Sequence, residues 1–185
     1  SLTQANIDAI SLGSSDNCSS ALARVVTPST FNCSNVGSNS VTLTVYNSFN
    51  KDASCNATVT ILDSIKPSVY VQNYTLYLGA NGAGSLAVSN IDNGSSDACG
   101  IASRTLSKTS FDCTNVGSNT VTLTVVDVNG NSNTGSATVT VVDNTAPSVT
   151  TQNYTLTLAA NGTGSIAVAD IDNGRSDACS TASRE

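Results

Sequence analysis

Hydrophobic and polar residues alternate along several short stretches of this chain. The alternation is clearest at 121–125 and 137–141, where Val, Leu or Ala residues are separated by threonines, and it recurs at 74–78 and 86–89. A period of two places every second side chain on the same face of an extended strand. These four stretches are therefore predicted to be β-strands with one buried face.

Turn signals separate the alternating stretches. Asn-Gly pairs stand at 81–82, 93–94 and 129–130, and the last of them lies between two strongly alternating runs, which favours a β-hairpin. The chain has 12 Asp but only one glutamate, Glu185, and because Asp favours turns and caps whereas Glu favours helices, almost no helix is expected. Short strands at regular spacing with turns between them are typical of an all-β fold, here an immunoglobulin-like β-sandwich.

The chain contains an internal repeat. Residues 68–105 and 148–185 are identical at 26 of 38 positions, and residues 31–45 and 111–125 at 12 of 15. Both matches have the same offset, which sets a period of about 80 residues, and self-similarity at a fixed period is the signature of a tandem array. The fold is therefore predicted to be a series of tandem immunoglobulin-like repeats.

Prolines mark the predicted boundaries between repeats. Pro67 and Pro147 each follow a short polar connector, and proline cannot donate a hydrogen bond to a strand ladder. We therefore predict a first repeat at 1–66 that lacks its opening strand, a complete repeat at 67–146 and a truncated repeat at 147–185. Because both end pieces are partial repeats, we expect the sequence to be a segment of a longer repetitive protein.

Composition argues against most kinds of chemistry. The 185 residues contain no His, Met or Trp and carry a net charge of −6 at pH 7, with no basic cluster. A nucleic-acid partner and a membrane span are not expected. Nucleophilic catalysis would need a base beside a Ser or Cys, and no motif surrounds the candidate lysines Lys51, Lys66 and Lys108. We expect no catalytic residue, no enzyme activity and no cofactor.

The six cysteines favour an oxidising compartment, although buried free thiols in a cytosolic protein are the alternative. Two pairs recur with similar spacing, and the remaining two cysteines have no evident partner. The sequence predicts the disulfides Cys18–Cys33 and Cys99–Cys113 and leaves Cys55 and Cys179 unpaired in this segment. An interchain bond through Cys55 is the alternative for that residue.

Oxygen-bearing side chains at Asp127, Asn129, Asn131 and Asp143 form a candidate calcium site. Calcium prefers several carboxylate and carbonyl oxygens in one loop. The corresponding position in the first repeat is Asn47, which lacks the carboxylate. Because Asp, Asn and Gly are also the residues of ordinary tight turns, turn formation is the competing interpretation.

Tyrosines are the remaining candidates for binding. Tyr74 and Tyr154 occupy the same repeat position with apolar neighbours, which indicates a role in the core. Tyr70 and Tyr77 are replaced by threonine one repeat later, so the fold does not require them. They are the candidates for a contact surface that recognises polysaccharide.

Several motifs resemble the hyalin-repeat (HYR) family of immunoglobulin-like modules. The resemblance is based on Val-Gly-Ser-Asn-Thr-Val at 116–121 followed by Asp127, and on the Asp-x-Cys segments at 16–18 and 97–99. The tandem form is similar to repeats of giant cell-surface adhesins of gliding bacteria. Members of the family often carry a second disulfide that ends at the position of Gly135, and the resemblance implies that this bond is lost here, which leaves Cys55 alone.

The resemblance implies a non-enzymatic adhesive stalk at the extracellular cell surface, with a role in cell adhesion or gliding motility. Its partners would be neighbouring repeats of the same chain and, through parts outside this segment, a surface polysaccharide or other adhesion substrate. The alternative is a polysaccharide-binding accessory module of a secreted enzyme. A calcium-stabilised adhesin is a further possibility.

Overall fold

A computed structural model describes residues 6–7, 13–15, 17 and 22–179. The chain divides into two compact units, residues 1–65 (unit 1) and 66–185 (unit 2). Both are rich in β-structure, as the alternation predicts. The finer division of unit 2 into a complete and a truncated repeat stays a prediction.

Unit 1 contains a three-stranded antiparallel sheet in the order β1-β2-β3. Its elements are β1 (Ala23–Thr27), a 3₁₀ turn (Cys33–Asn35), β2 (Gly37–Tyr46) and β3 (Asp52–Ile61).

Unit 2 contains a four-stranded sheet in the order β4-β9-β8-β6 and two pairs, β5-β7 and β10-β11. In chain order its elements are β4 (Tyr74–Tyr77), β5 (Ala83–Ser85), a helical turn (Val88–Ile91), β6 (Ile101–Leu106), β7 (Ser110–Asp112), a 3₁₀ turn (Cys113–Asn115), β8 (Gly117–Asp127), β9 (Ser132–Val142), β10 (Ser148–Thr151), a second helical turn (Val168–Ile171) and β11 (Asp172–Ser176). The β8–β9 hairpin turns at Asn129-Gly130, as predicted.

The core of unit 2 is formed by every second residue of β8 and β9, together with side chains of the β4 region and of β7. Its buried members are Leu76, Leu78, Leu86, Ile91, Phe111, Val121, Leu123, Val125, Ala137, Val139 and Val141. The threonines between the β8 and β9 members are half-buried or exposed. The strand pattern at 121–125 and 137–141 is thus confirmed.

The predicted strand at 86–89 is wrong. Leu86 is buried as expected, but Val88 begins a helical turn that extends to Ile91. The Asn90 side chain accepts a hydrogen bond from the Ala87 backbone N–H at 2.9 Å, and the Asp92 N–H donates to the Val88 carbonyl at 2.8 Å. A side-chain cap at the start of a turn offers the backbone an alternative to a sheet ladder.

The central hairpin recurs with the same register in both units. Leu43 pairs with Cys55 in unit 1, and the residues one repeat later, Leu123 and Gly135, pair in unit 2. The hairpins differ in their cover, because β9 also pairs in parallel with β4, whereas β3 pairs only with β2 among the described strands.

Removal of a core leucine should cost more in unit 2 than in unit 1. Leu123 is fully buried, and Leu123→Ala is expected to reduce the free energy of unfolding by about 3–4 kcal/mol. The matched variant Leu43→Ala should cost less, because its cluster has only three buried members among the described residues and the surroundings can relax into the space. Chemical denaturation of both variants measures this; equal losses would contradict the difference in cover.

Candidate functional site

The most informative feature of unit 2 is a disulfide between Cys113 and Cys179, residues that are 66 positions apart. Cys113 begins the 3₁₀ turn before β8, inside the predicted complete repeat. Cys179 follows β11, inside the predicted third repeat. This bond therefore joins two consecutive predicted repeats covalently.

The predicted bond Cys99–Cys113 is wrong, and Cys179 is not unpaired. Cys99 lies near the end of β8, since β6 begins at Ile101 opposite Asp127. Cys113 lies just before the opposite end of β8, which starts at Gly117. About ten residues of strand separate these ends, which corresponds to roughly 33 Å. The short sequence spacing misled the prediction because β6 runs along the sheet between the two cysteines.

The other cysteines differ in their state. Cys33 and Cys99 occupy the repeat positions of Cys113 and Cys179, and both are disulfide-bonded. The predicted pair Cys18–Cys33 includes Cys18, which lies outside the described residues. Among the described cysteines, only Cys55 is free, as predicted, and its side chain is exposed.

A side-chain cap holds Cys113 in place. Asp112 accepts a hydrogen bond from the Thr114 N–H at 2.9 Å, and Asn115 accepts one from the Asp112 N–H at 3.1 Å. This reciprocal pair is a capping box around the 3₁₀ turn. The same box forms around Cys33 between Asn32 and Asn35. The pattern Asn/Asp-Cys-x-Asn was present in the sequence, but the sequence analysis did not identify it as a capping box.

The Val-Gly-Ser-Asn motif continues this arrangement into β8. The Asn119 side-chain amide donates to the Asn115 carbonyl at 2.7 Å and to the Gly117 carbonyl at 3.1 Å. Gly117 has a φ of 106°, which favours glycine. The motif therefore fixes the path from the cysteine-bearing turn into the strand.

The Asp-x-Cys motif positions the other half of the bond. Asp177 accepts a hydrogen bond from the Cys179 N–H at 2.8 Å, and Asp97 does the same for Cys99. An aspartate that binds the N–H two residues later forms an Asx turn. The carboxylate of this motif therefore orients its cysteine.

Gly82 packs directly against the disulfide. A β-carbon at this position would lie 2.7 Å from the Cys113 sulfur, closer than real β-carbons come to other atoms. Gly82 also has a φ of 70° in the turn after β4. The Asn-Gly turn at 81–82 thus makes room for the disulfide between Cys113 and Cys179.

Three of the predicted calcium residues, Asp127, Asn129 and Asn131, form a hydrogen-bonded turn. Asp127 is only 1% exposed, and its Oδ1 accepts from the N–H groups of Asn129 and Asn131 at 2.9 and 2.8 Å. Its Oδ2 accepts from the Asn131 side-chain amide at 2.8 Å. A cation at this carboxylate would have to displace these donors. The geometry favours turn formation over calcium binding.

The first unit supports this interpretation. Asn47 accepts hydrogen bonds from the Phe49 and Lys51 N–H groups, both at 3.0 Å, with no carboxylate at this position. Asn50 has a φ of 57°, in the place where unit 2 has Gly130 with a φ of 90°. The same turn therefore forms around a neutral side chain.

Asp143 does not join the other three residues. It follows β9, whose last residues pair with the start of β8, whereas Asp127 ends β8. The two carboxylates thus lie at opposite ends of the hairpin, roughly 30 Å apart. Asp143 accepts a hydrogen bond from the Thr145 N–H at 3.0 Å and forms a turn of its own. The four residues predicted as one site do not form one.

Burial raises the pKa of Asp127, but hydrogen bonds from the Asn131 side chain and from three backbone N–H groups outweigh it, so the pKa lies below the ordinary value of 3.8. For Asp92, burial likewise opposes a pKa lowered by Ser95 and Arg104. The Arg104 Nε lies 2.8 Å from the Asp92 carboxylate. Both carboxylates serve the local fold.

The predicted contact tyrosines are exposed. Tyr70 is 56% and Tyr77 is 59% exposed, so both rings are open to a partner. Tyr74 packs against the core, as predicted, whereas Tyr154 is 47% exposed.

No helix among the described residues is long and apolar enough to cross a bilayer.

Comparisons with models of known protein families and with curated proteins found no match to this chain. The four disulfide-bonded cysteines of the described part indicate an oxidising environment. Assignment of a function therefore depends on the geometry of the chain itself.

Loss of the disulfide should destabilise unit 2 substantially. Closing a loop of 66 residues is expected to contribute about 4 kcal/mol in the chain-entropy model. The double variant Cys113→Ser/Cys179→Ser should lose this amount in chemical denaturation, whereas Cys55→Ser should change stability by less than about 0.5 kcal/mol. Proteolysis without reduction should release peptides joined through Cys113 and Cys179; peptides joined through Cys99 and Cys113 would contradict the structure.

Acid should weaken unit 2 through Asp127. Because its folded pKa is lowered, its stabilising contribution is complete above about pH 4 and is lost as the pH falls through the folded value. Asp127→Asn should flatten the pH dependence of thermal unfolding below pH 4, and Asn47→Asp should steepen it for unit 1. Unchanged profiles in both variants would show that this carboxylate does not stabilise the turn.

The same melting experiment addresses calcium. The midpoint is expected to be identical with added calcium and with chelator, because N–H donors already occupy the Asp127 oxygens. A chelator-dependent midpoint that disappears in Asp127→Asn would instead establish a metal site in this turn.

Proposed function

We propose that this chain is a segment of an extracellular stalk, built from tandem immunoglobulin-like β-sandwich repeats of the hyalin-repeat type and belonging to a cell-surface adhesin. The observation that carries the proposal is the Cys113–Cys179 bond, which joins one predicted repeat to the next. A stalk that holds an adhesive tip away from the cell must transmit tension from repeat to repeat. A covalent bridge between repeats serves that purpose.

The bridge bypasses most of one repeat. Tension that arrives at Cys113 passes through the sulfur atoms to Cys179 without loading β8, β9 or β10 between them. The β8–β9 hairpin, which this loop encloses, is therefore protected from extension, whereas β4 and β6 lie outside the loop. The segments outside the loop extend first under load. Their length determines how far the stalk lengthens.

The surface and charge fit a non-enzymatic role. The polar faces of β8 and β9 consist largely of threonine and serine, and the net charge of −6 favours solubility. The ionisable side chains with shifted pKa values, Asp92, Asp112 and Asp127, are all engaged in local turns or pairs. These features support a structural role at the cell surface and in adhesion or gliding motility.

Force spectroscopy tests the stalk. Reduction should release the segment between Cys113 and Cys179, which are 66 positions apart. This adds about 230 Å of contour length at roughly 3.5 Å per residue. Cys113→Ser/Cys179→Ser should show the long extension without reductant. Equal extension with and without reductant would contradict a load-bearing bridge.

The exposed tyrosines favour a second candidate, a polysaccharide-binding module. Aromatic rings can stack on sugars, and Tyr70 and Tyr77 are the most exposed tyrosines of unit 2. Tyr70→Thr/Tyr77→Thr restores the residues found at 150 and 157 and should leave the fold intact. Loss of binding to a polysaccharide array in this variant would support the second candidate, and unchanged or absent binding favours the stalk.

A further inference from the structure

Asparagine followed by glycine is a dipeptide that can modify itself. The backbone nitrogen of the glycine can attack the side-chain carbonyl carbon of the asparagine, because glycine has no β-carbon to hinder the approach. A hydrogen bond from the glycine N–H opposes this attack, since the nitrogen must lose its proton and turn towards the side chain. The chain contains five such pairs, which are Asn81-Gly82, Asn93-Gly94, Asn129-Gly130, Asn161-Gly162 and Asn173-Gly174.

In four of the five pairs the glycine N–H donates a hydrogen bond. An N–H of this kind must first give up its acceptor, which slows the attack. Gly82 is also buried. The bonds run from Gly82 to the Gly79 carbonyl at 2.8 Å, from Gly130 to the Asp127 carbonyl at 3.3 Å, from Gly162 to the Ala159 carbonyl at 2.9 Å, and from Gly174 to the Asp172 carboxylate at 3.0 Å.

Gly94 is the exception. No described residue accepts a hydrogen bond from its N–H. The carboxylate two residues earlier, Asp92, is bound elsewhere: its Oδ1 accepts from the Ser95 N–H at 2.9 Å, and its Oδ2 lies 2.8 Å from the Arg104 Nε. Asn93 and Gly94 are both exposed, and a β-carbon at Gly94 would meet nothing within 4 Å. The Gly94 nitrogen therefore has no acceptor to leave, and a ring has room to form around it.

We propose that Asn93 is a site of spontaneous deamidation in the folded chain. The Gly94 nitrogen loses its proton to water and forms a bond to the Asn93 Cγ, while the Cγ–Nδ2 bond breaks and ammonia leaves with a proton from water. A second water molecule then opens the cyclic imide at either carbonyl carbon, which gives aspartate or isoaspartate. Water is consumed and ammonia is released, so the reaction needs no oxidant, reductant or enzyme.

The modified residue would lie in a group of hydrogen bonds that holds the segment before β4. The Asn93 N–H donates to the Tyr70 carbonyl at 2.9 Å, and the buried Ser95 hydroxyl accepts from the Tyr70 N–H at 3.0 Å. Isoaspartate adds a carbon to the main chain before Gly94 and places a negative charge beside Asp92. The added carbon shifts Ser95 relative to Tyr70, so the segment is held less tightly once the residue has changed.

The inference is independent of the adhesin assignment. It depends only on the hydrogen bonding of the glycine N–H groups and on the contacts of residues 92–95. A stalk and a polysaccharide-binding module would carry the same site.

Peptide mapping by mass spectrometry tests the site in the folded full chain after incubation at mildly alkaline pH. Asn81 is the matched control, because its Gly82 N–H donates at 2.8 Å. Asn93 should convert about fivefold faster than Asn81, which is the effect expected from one hydrogen bond. In denaturant the two rates should become similar, since both nitrogens then face water. Conversion of Asn93 no faster than that of Asn81 in the folded chain would overturn the proposal.

Hydrogen exchange tests the structural consequence. After full conversion of Asn93, the Tyr70 and Ser96 amides should exchange about fivefold faster than in the fresh chain. The variant Asn93→Gln, treated identically, should keep the fresh rates, because its longer side chain forms the imide ring far more slowly. Fresh rates in the converted chain, or the same acceleration in Asn93→Gln, would show that the change at Asn93 does not loosen this segment.

Discussion

The rest of the structure depends on the cover that β4, Leu86 and Phe111 give to the β8–β9 hairpin. The β8–β9 hairpin has one apolar face, and that face becomes fully buried only where β4, Leu86 and Phe111 pack on it. Unit 1 has the same hairpin in the same register, but its described core cluster has only three fully buried residues. Alternation creates an apolar face, and burial of that face requires a partner distant in sequence.

The disulfide adds a second constraint, which acts between two predicted repeats. A repeat of about 80 residues has a small core, so a covalent link is a substantial part of its stability. The link is anchored at defined positions, because Asp112 and Asp177 fix the turns that carry its two cysteines.

Turn chemistry accounts for the polar residues that first suggested a metal site. Asp127, Asp97 and Asp177 each accept hydrogen bonds from backbone N–H groups two residues later. The replacement of Asp127 by Asn47 in unit 1 keeps the turn, because an amide oxygen accepts the same bonds. Because unit 1 forms this turn around a neutral Asn47, the fold requires only a hydrogen-bond acceptor at this position. A calcium ion would require the carboxylate, which only unit 2 has here.

The sequence by itself determined the β-rich character, the strands at 121–125 and 137–141, the Asn129-Gly130 hairpin and the free state of Cys55. The strands and the hairpin follow from local spacing, since side-chain direction alternates along a strand and Asn-Gly favours a tight turn. Only the tertiary structure decided that Cys113 bonds to Cys179 and not to Cys99, and that Asp127 and Asp143 lie far apart. Those outcomes depend on which end of an extended strand each residue occupies and on which distant segment reaches that end. The spacing between residues along the chain specifies neither of these.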